Sequence, residues 1–511
     1  MRITNSMITN NAAGNINGTK VLVDKTNTQM TTQKKISRPS EDPVIAIRSL
    51  RLQTSLNKIN QYYEKNIPDA ESWMDVTETA LTNMKSIITD MRTLCVNGST
   101  GTLTEDDRST ILTQLKALQE QVYNEGNADY AGRTVFTGYR TDKTLTFTTA
   151  DSNTHYNITE PMSSDDIYRK RFYNGEVTVP TTPSAVSAGV TSDMDTQQTE
   201  YNVLRFAYDD LDSISSVKVT LEGGTQTDVS VTVYDTEADW AAANSGKKEV
   251  GENDVVIIKD TGEMIMGDTI SNTYLSNNAK FEINYDKTGF ASGELRPEYY
   301  FNCIQYTDST GADVNGTTGI AYERFDSDGN ATPYEIQYTV ASNQELTVNM
   351  EANECIDHNI YQDMGDMIDI VQKAISANDK VDQINAMISS DQYAGEEYQT
   401  KLAEWLAAAQ KEADYANDNL QKSYSEILGK VDNYLEDINL SITTIGCRGD
   451  QLEMTKTRMN NQQETVEELQ STNDDLDLSD IILKYTAAYT AYQSSLTAAG
   501  KLGQQNLLNY I

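Results

Sequence analysis

Apolar residues recur at spacings of three and four along both ends of this chain. Leu52, Leu56, Ile59 and Tyr63 open the pattern, and Trp73, Val76, Ala80, Met84, Ile87, Met91 and Leu94 continue it beyond Pro68. Such spacing lays the residues along one stripe of a helix, which Pro68 is expected to interrupt. The stretch NGSTGTLTEDDR (97–108) reads as a turn with Thr104 as the cap of a third helix, marked by Ile111, Leu115, Leu118 and Val122. Near the other end a strict seven-residue repeat runs through Val431, Ile438, Ile445, Leu452, Met459 and Val466, with Leu428, Leu435 and Ile442 beside it. A repeat of this period predicts coiled-coil-like packing against another long helix. Gly446 and Gly449 interrupt it, and they read as points of close approach to a neighbouring helix or as a local break. A last helix places Ile482, Tyr485, Tyr489, Tyr492, Leu496 and Ala499 on one face and ends in NLLNYI, with Leu507 and Leu508. Aromatic residues at helical spacing are packing residues first.

The first 37 residues are weaker. Ile3, Met7, Ile8, Ile16, Leu22 and Met30 are diluted by Asn, Thr and Gly, which favour caps and turns, so this arm is expected to be marginal alone. Residues 376–425, polar and Ala-rich, read as helical without a clear period. Between about 141 and 354 the texture changes to period-two alternation rich in Thr and Val. VKVTLEGGTQTDVSVTVYD (217–235), VVIIKDTGEMIMGD (255–268) and IAYERFDSDGNATPYEIQYTV (320–340) each read as a strand–turn–strand unit.

Two breaks frame this plan. In KKISRPSEDPVIAIRSLRLQ (34–53), Pro39 drives Arg38 out of the helical region, Asp42 can cap a new helix, and Pro43 sits at its first position. STNDDLDLSD (471–480) mirrors it near the other end. Weak arm, hinge, strong helices, β insertion, strong helix, hinge and arm form a symmetric order that brings the two arms side by side. The expected divisions are arms 1–42 plus 473–511, a helical shaft 43–140 plus 355–472, and a β-rich part 141–354. The fold class is α+β.

Composition removes several functions. A formal charge of −37 makes nucleic acid or an anionic membrane a poor partner. No apolar run approaches the ~18 residues of a membrane span, and MRITNSMITNNAAG lacks the apolar core of a cleaved signal peptide. Cys95, Cys303, Cys355 and Cys447 are scattered and read as buried, inert thiols. Two histidines, His155 and His358, leave little scope for catalysis. Glu354 and His358, four apart, read as an exposed helical charge pair rather than metal ligands. DSDGN (326–330) starts like a calcium loop, but Ala331 and Gln337 replace the required Gly and Glu, so a hairpin turn is preferred. Neither a catalytic motif nor a cofactor site is expected.

Several stretches resemble the flagellin superfamily, and within it the hook–filament junction branch. They are MRITNSMITNN, the hinge ISRPSEDPVIAIRSLRLQTSL with its Ser, two acids and Pro, and YAGRTVFTGYRTDKTLTF (130–147). TTIGCRGDQLE and LTAAGKLGQQNLLNYI carry the likeness at the other end, and YDKTGFASGELRPEYYFNC (285–303) is similar to junction proteins of anaerobic Gram-positive bacteria. Arg133, Phe136, Gly138 and Asp142 are the most discriminating matches, since flagellins tend to carry Arg-x-x-Phe-Asn-Gly there. Cys447 and the long stretch 376–425 depart from the pattern.

The resemblance implies a flagellin-like helical shaft with an outer β-rich domain and a structural role without enzymatic activity. It implies arms that line an inner tube through Ile3, Met7, Ile8, Ile482, Tyr485, Tyr489, Tyr492, Leu496, Leu507 and Leu508. It also implies a homo-oligomeric ring between hook-associated protein 1 and flagellin with the filament cap. Before assembly, an export chaperone and passage through the flagellar export apparatus to the cell exterior would follow. Flagellin itself is the nearest alternative, and a phage-tail or adhesin fibre subunit a more distant one.

Overall fold

The computed structural model describes residues 5–100, 103–191, 194, 196–316, 318–326 and 330–504. Its long helices are α1 (Asn5–Thr32), α2 (Pro43–Gln61), α3 (Ile67–Gly98), α4 (Glu105–Glu125), α5 (Asn359–Ile388), α6 (Glu396–Asp474) and α7 (Leu478–Gln504). The strands lie between residues 129 and 347, so the class is α+β. The chain divides into two compact units: 1–71, 338–346 and 450–511 form the first, and 72–337 with 347–449 the second.

Pro68 does not interrupt the helix. A π-helical turn, Tyr62–Asn66, joins α2 to α3, and the Ile67 N–H donates to the Tyr62 carbonyl. The wider turn leaves a place for a residue that has no N–H to give, and Pro68 takes up the first turn of α3.

In the second unit, α3 buries Trp73, Ala80, Leu81, Met84, Ile88, Met91 and Cys95. Helix α6 buries Tyr424, Ile427, Val431, Tyr434, Ile438 and Ile445. The seven-residue row was therefore legible, while its companion was displaced. The second buried row is Ile427, Tyr434 and Ser441, and Leu428, Leu435 and Ile442 are only half-buried. Val466, at the far end of the repeat, is half-buried too.

The glycine of α3 and α6 that meets a close neighbour is Gly98, where an added Cβ would lie 2.2 Å from the Tyr424 ring. Gly446 and Gly449 face open space within an unbroken α6, correcting both readings of them. Each therefore only weakens the helix. Gly446→Ala is expected to stabilise the chain by about 1 kcal/mol, read as a higher melting temperature, and Gly449→Ala to add a similar increment.

The poorly periodic stretch is a helical hairpin. Helix α5 ends at Ile388, and α6 begins at Glu396. Ile384, Tyr393, Leu402, Trp405 and Ala409 enclose Val177 and Val186.

Two sheets fill the middle of the chain. One has five strands in the order Tyr168–Asn174, Gln197–Arg205, Glu263–Met266, Val255–Ile258 and Thr232–Tyr234. The other has six, Ile320–Tyr322, Asn302–Thr307, Asp151–Ser163, Lys280–Phe290, Ser213–Thr220 and Thr227–Asp228. Residues 255–266 form the hairpin expected. The other two strand–turn–strand readings need correction. After two paired residues, Thr227 and Asp228, the chain leaves Ser213–Thr220, and Thr232–Tyr234 joins the other sheet in parallel with Val255–Ile258. Ile320–Tyr322 pairs with Asn302–Thr307, whereas Gln337–Ala341 forms a separate two-stranded sheet with Gln344–Thr347. Of DSDGN, residues 327–329 lie outside the described residues; on either side of them, the Asp326 N–H donates to the Asn330 carbonyl at 2.9 Å.

Buried charges are paired, as burial requires. Lys287 faces Glu294 at 3.6 Å, and burial pushes the Glu294 carboxyl up to about 7. Asp363 on α5 accepts from Lys430 and from the Tyr434 hydroxyl on α6. His358 and Glu354 do not share a helix: a short helix ends at Cys355, and α5 starts at Asn359. His358 instead packs its ring edge-on to Phe301, 5.1 Å between centroids, with its Nε2 3.8 Å from the buried Glu160. Cys95, Cys303 and Cys355 are buried, but Cys447 is exposed, so the expectation of four buried thiols fails at one position. Burial pushes the Cys95 thiol up to about 12.

Candidate assembly surface

The hinge forms as its residues dictate. Asp42 has extended dihedrals (φ −148°, ψ 99°), and its Oδ1 accepts from the Val44 and Ile45 N–H groups at 2.9 and 3.2 Å. Pro43 follows at the first helical position. One turn back, Glu41 accepts from the Ser37 N–H at 3.2 Å and hydroxyl at 2.9 Å. These bonds hold the Glu41 carboxyl below its ordinary range. Pro39 closes off the loop, whose Glu41 N–H returns to the Arg38 carbonyl.

This hinge clasps its counterpart. Lys34 and Asp475 form an isolated antiparallel bridge, the Lys35 N–H donates to the Asp474 carbonyl at 2.7 Å, and the Leu476 N–H donates to the Gln33 carbonyl at 2.9 Å. Gln33 takes a positive φ of 57° to make the turn. Side chains reinforce the clasp. Lys34 pairs with Asp475 and holds its carboxyl below the ordinary range; Ser49 donates to Asp474 at 2.7 Å; Asn473 donates to the Ile45 carbonyl at 3.1 Å. The sequence showed two hinges but not that their backbones join, because no local pattern reports a pairing 441 residues apart.

From the clasp, α1 and α7 run side by side. On α7 the covered line is Ile481, Tyr485, Ala488, Tyr492, Ser495 and Ala499, at alternating spacings of four and three. On α1 it is Ala12, Ile16, Thr19, Val23, Thr26 and Met30. Small residues make up half of each line, and only Ile481, Ala488 and Thr26 are fully buried.

The named apolar residues thus divide. Tyr485 and Tyr492 lie on the covered line, and the Tyr485 ring stacks on Tyr489 at 6.1 Å. Ile482 (45%), Tyr489 (44%) and Leu496 (44%) lie beside it and stay exposed, as do Met7 and Ile8 on α1. Ile3, Leu507 and Leu508 fall outside the described residues. Val21, Leu22, Leu478 and Leu483 are also exposed, and of these only Leu22 was singled out by its pattern. An apolar surface left open along both arms is what an assembling subunit needs.

Residues 3–141 match the family model of the bacterial flagellin N-terminal helical region. A flagellar hook-associated protein 3 from Salmonella typhimurium is 29% identical over 143 residues, 28% of this chain and 45% of that protein. One from Escherichia coli is 31% identical over 115 residues, 22% of this chain and 36% of that protein. A flagellin from Clostridium tyrobutyricum is a weaker match, 30% identical over 122 residues, 24% of this chain and 32% of that protein. The N-terminal region is flagellin-like. The chain spans less than half the length of the two hook-associated relatives. Among solved structures, a hook-associated protein from Vibrio parahaemolyticus is 13% identical, covering 85% of this chain and 100% of that one with a TM-score of 0.34. Hook-associated protein 3 from Legionella pneumophila is 12% identical, covering 82% and 97%, with a TM-score of 0.30.

Within the flagellin-like region the discriminating residues are chiefly packing and turn residues. Arg133 lies over the Trp73 ring at 5.0 Å and the Tyr130 ring at 5.7 Å. Phe136 is buried. Gly138 has a φ of +59°, and an added Cβ would come within 2.6 Å of a Glu351 carboxylate oxygen. Only glycine fits that turn. Asp142 is exposed in the turn that follows.

Proposed function

We propose that this chain is a structural subunit of the bacterial flagellum that forms the distal hook–filament junction, with no enzymatic activity. The observation that carries the reading is the match of the flagellin-like region to two hook-associated proteins 3, ahead of its match to a flagellin. The clasped arms support it: they expose apolar residues along helices too thin to bury them alone.

In this reading, arms 1–42 and 473–511 line the inner tube. The helices of 43–140 and 355–472 form the next shell, and 141–354 faces outward. Copies close into a ring, with hook-associated protein 1 on one side and flagellin with the cap on the other. An export chaperone covers the arms beforehand, and the subunit leaves through the flagellar export apparatus to act outside the cell. Electron microscopy of flagella labelled for this chain tests the reading. One thin band at the hook–filament boundary is expected; labelling along the whole filament would instead make the chain a flagellin.

A further inference from the structure

Charge is segregated within the first unit. Residues 20–58 carry eight basic and three acidic side chains, although the whole chain has a net charge of −37. Residues 459–483 carry seven acidic side chains and no basic one. The clasp uses part of each set. Arg48 and Arg51 on α2, and Glu467 and Glu468 on α6, are exposed and have no ion pair among the described residues.

These groups sit on defined flanks. Val44, Ile47, Arg48 and Arg51 fall at i, i+3, i+4 and i+7, a single flank of α2, with Val44 66% and Ile47 56% exposed. Glu464, Glu467 and Glu468 fall at i, i+3 and i+4 on α6 and are exposed. The two helices already meet, α2 through the face opposite its basic flank. Ser49 donates to Asp474, Gln470 donates to Gln53 at 2.7 Å, and Gln463 donates to Asn60 at 3.1 Å. On α2 the basic flank lies opposite Ser49, Gln53 and Asn60; on α6, Glu464 and Glu468 lie to one side of Gln463, Gln470 and Asp474, and Glu467 is exposed at the edge of that line, so a single chain cannot bring Arg48 and Arg51 onto the acidic flank.

We propose that the basic flank of α2 on one copy docks against the acidic flank of α6 on the next. The inference rests on the reading that copies of this chain assemble. Two copies cannot meet through the same flank, because like charges would face each other. The basic flank faces away from α6, so the two flanks do not form one self-complementary patch; the contact is therefore head to tail and repeats from copy to copy, and a head-to-tail contact closes into a ring when its rotation permits. Val44 and Ile47 supply apolar area at its centre, and the charges set partner and register.

Charge reversal in the bacterium that makes the chain tests this. One full-length variant carries Arg48→Glu with Arg51→Glu, and the other carries Glu467→Lys with Glu468→Lys. Each alone places like charges in every contact and is expected to leave hooks without filaments. A third variant that carries all four reversals in one chain restores opposite charges in every contact, whatever the number of copies, so filaments should return. Both purified variants should melt as the unaltered chain does, since the reversed groups have no partners within it. Normal filaments with either variant alone would overturn the contact and leave the junction reading intact. Failure of the fourfold variant to rescue would also overturn it, because the flanks would then meet some partner other than a second copy. Normal filaments in cells lacking the chain altogether would overturn the junction reading, and this contact with it.

Discussion

Ile445→Asp is expected to destroy the cooperative unfolding transition of the second unit, or to lower its stability by about 4 kcal/mol or more. Ile445 is 1% exposed in the middle of the buried row of α6, between Ile438 and Leu452. A carboxylate there loses its hydration, and among the described residues no cation lies on the same row to receive it. Gln451→Asp is the control, since Gln451 is exposed on the same helix. It should cost well under 1 kcal/mol, the difference in helix preference alone. Lys456 would not serve as a control, because it pairs with Glu71 at 2.8 Å. Thermal melts of the two variants decide the matter: equal shifts would mean that the seven-residue row is not a core.

Removal of residues 482–511 is expected to leave cells with hooks, without filaments, and with flagellin shed into the medium. The deletion takes away Ala488 and the half-buried Tyr485, Tyr492 and Ala499, so α1 loses its cover. It also removes the exposed Ile482, Leu483, Tyr489 and Leu496. The second unit, whose residues end at 449, should melt unchanged. Electron microscopy and an assay of secreted flagellin check the outcome. Normal filaments on such cells would refute the junction mechanism.

Much of this architecture was legible because helices report themselves locally. The row from Val431 to Met459, the Asp42–Pro43 start and the Thr104 cap are each set by residues within a few positions of one another. The misplacements on α7 share one cause. Reading by apolar size selects Ile482, Tyr489 and Leu496, yet the covered line runs through their neighbours Ile481, Ala488 and Ser495. On the covered lines small residues such as Thr26, Ala488 and Ser495 alternate with large ones such as Tyr485 and Tyr492, so apolar size alone does not find them. The same bias hid the hairpin of 376–425, where Ala409 and Ala413 are buried. Thr232–Tyr234 was misassigned for a different reason: a parallel partner more than twenty residues away leaves no mark on the local alternation. The charge segregation was plain in the composition of the two segments, but its meaning depends on which flanks the fold leaves open.

The clasp fixes an order in time. Gln33 and Lys35 emerge early in synthesis, but their backbone partners, Leu476 and Asp474, emerge near the end. Closing so long a loop from a disordered chain carries a large entropic cost, which grows with the logarithm of its length. The second unit lies wholly inside that loop and draws on no residue beyond 449, so it can settle first and shorten the distance that remains. A newly made molecule therefore spends an interval with its middle finished and its two ends still searching. Any agent that captures one end during that interval controls when the clasp closes.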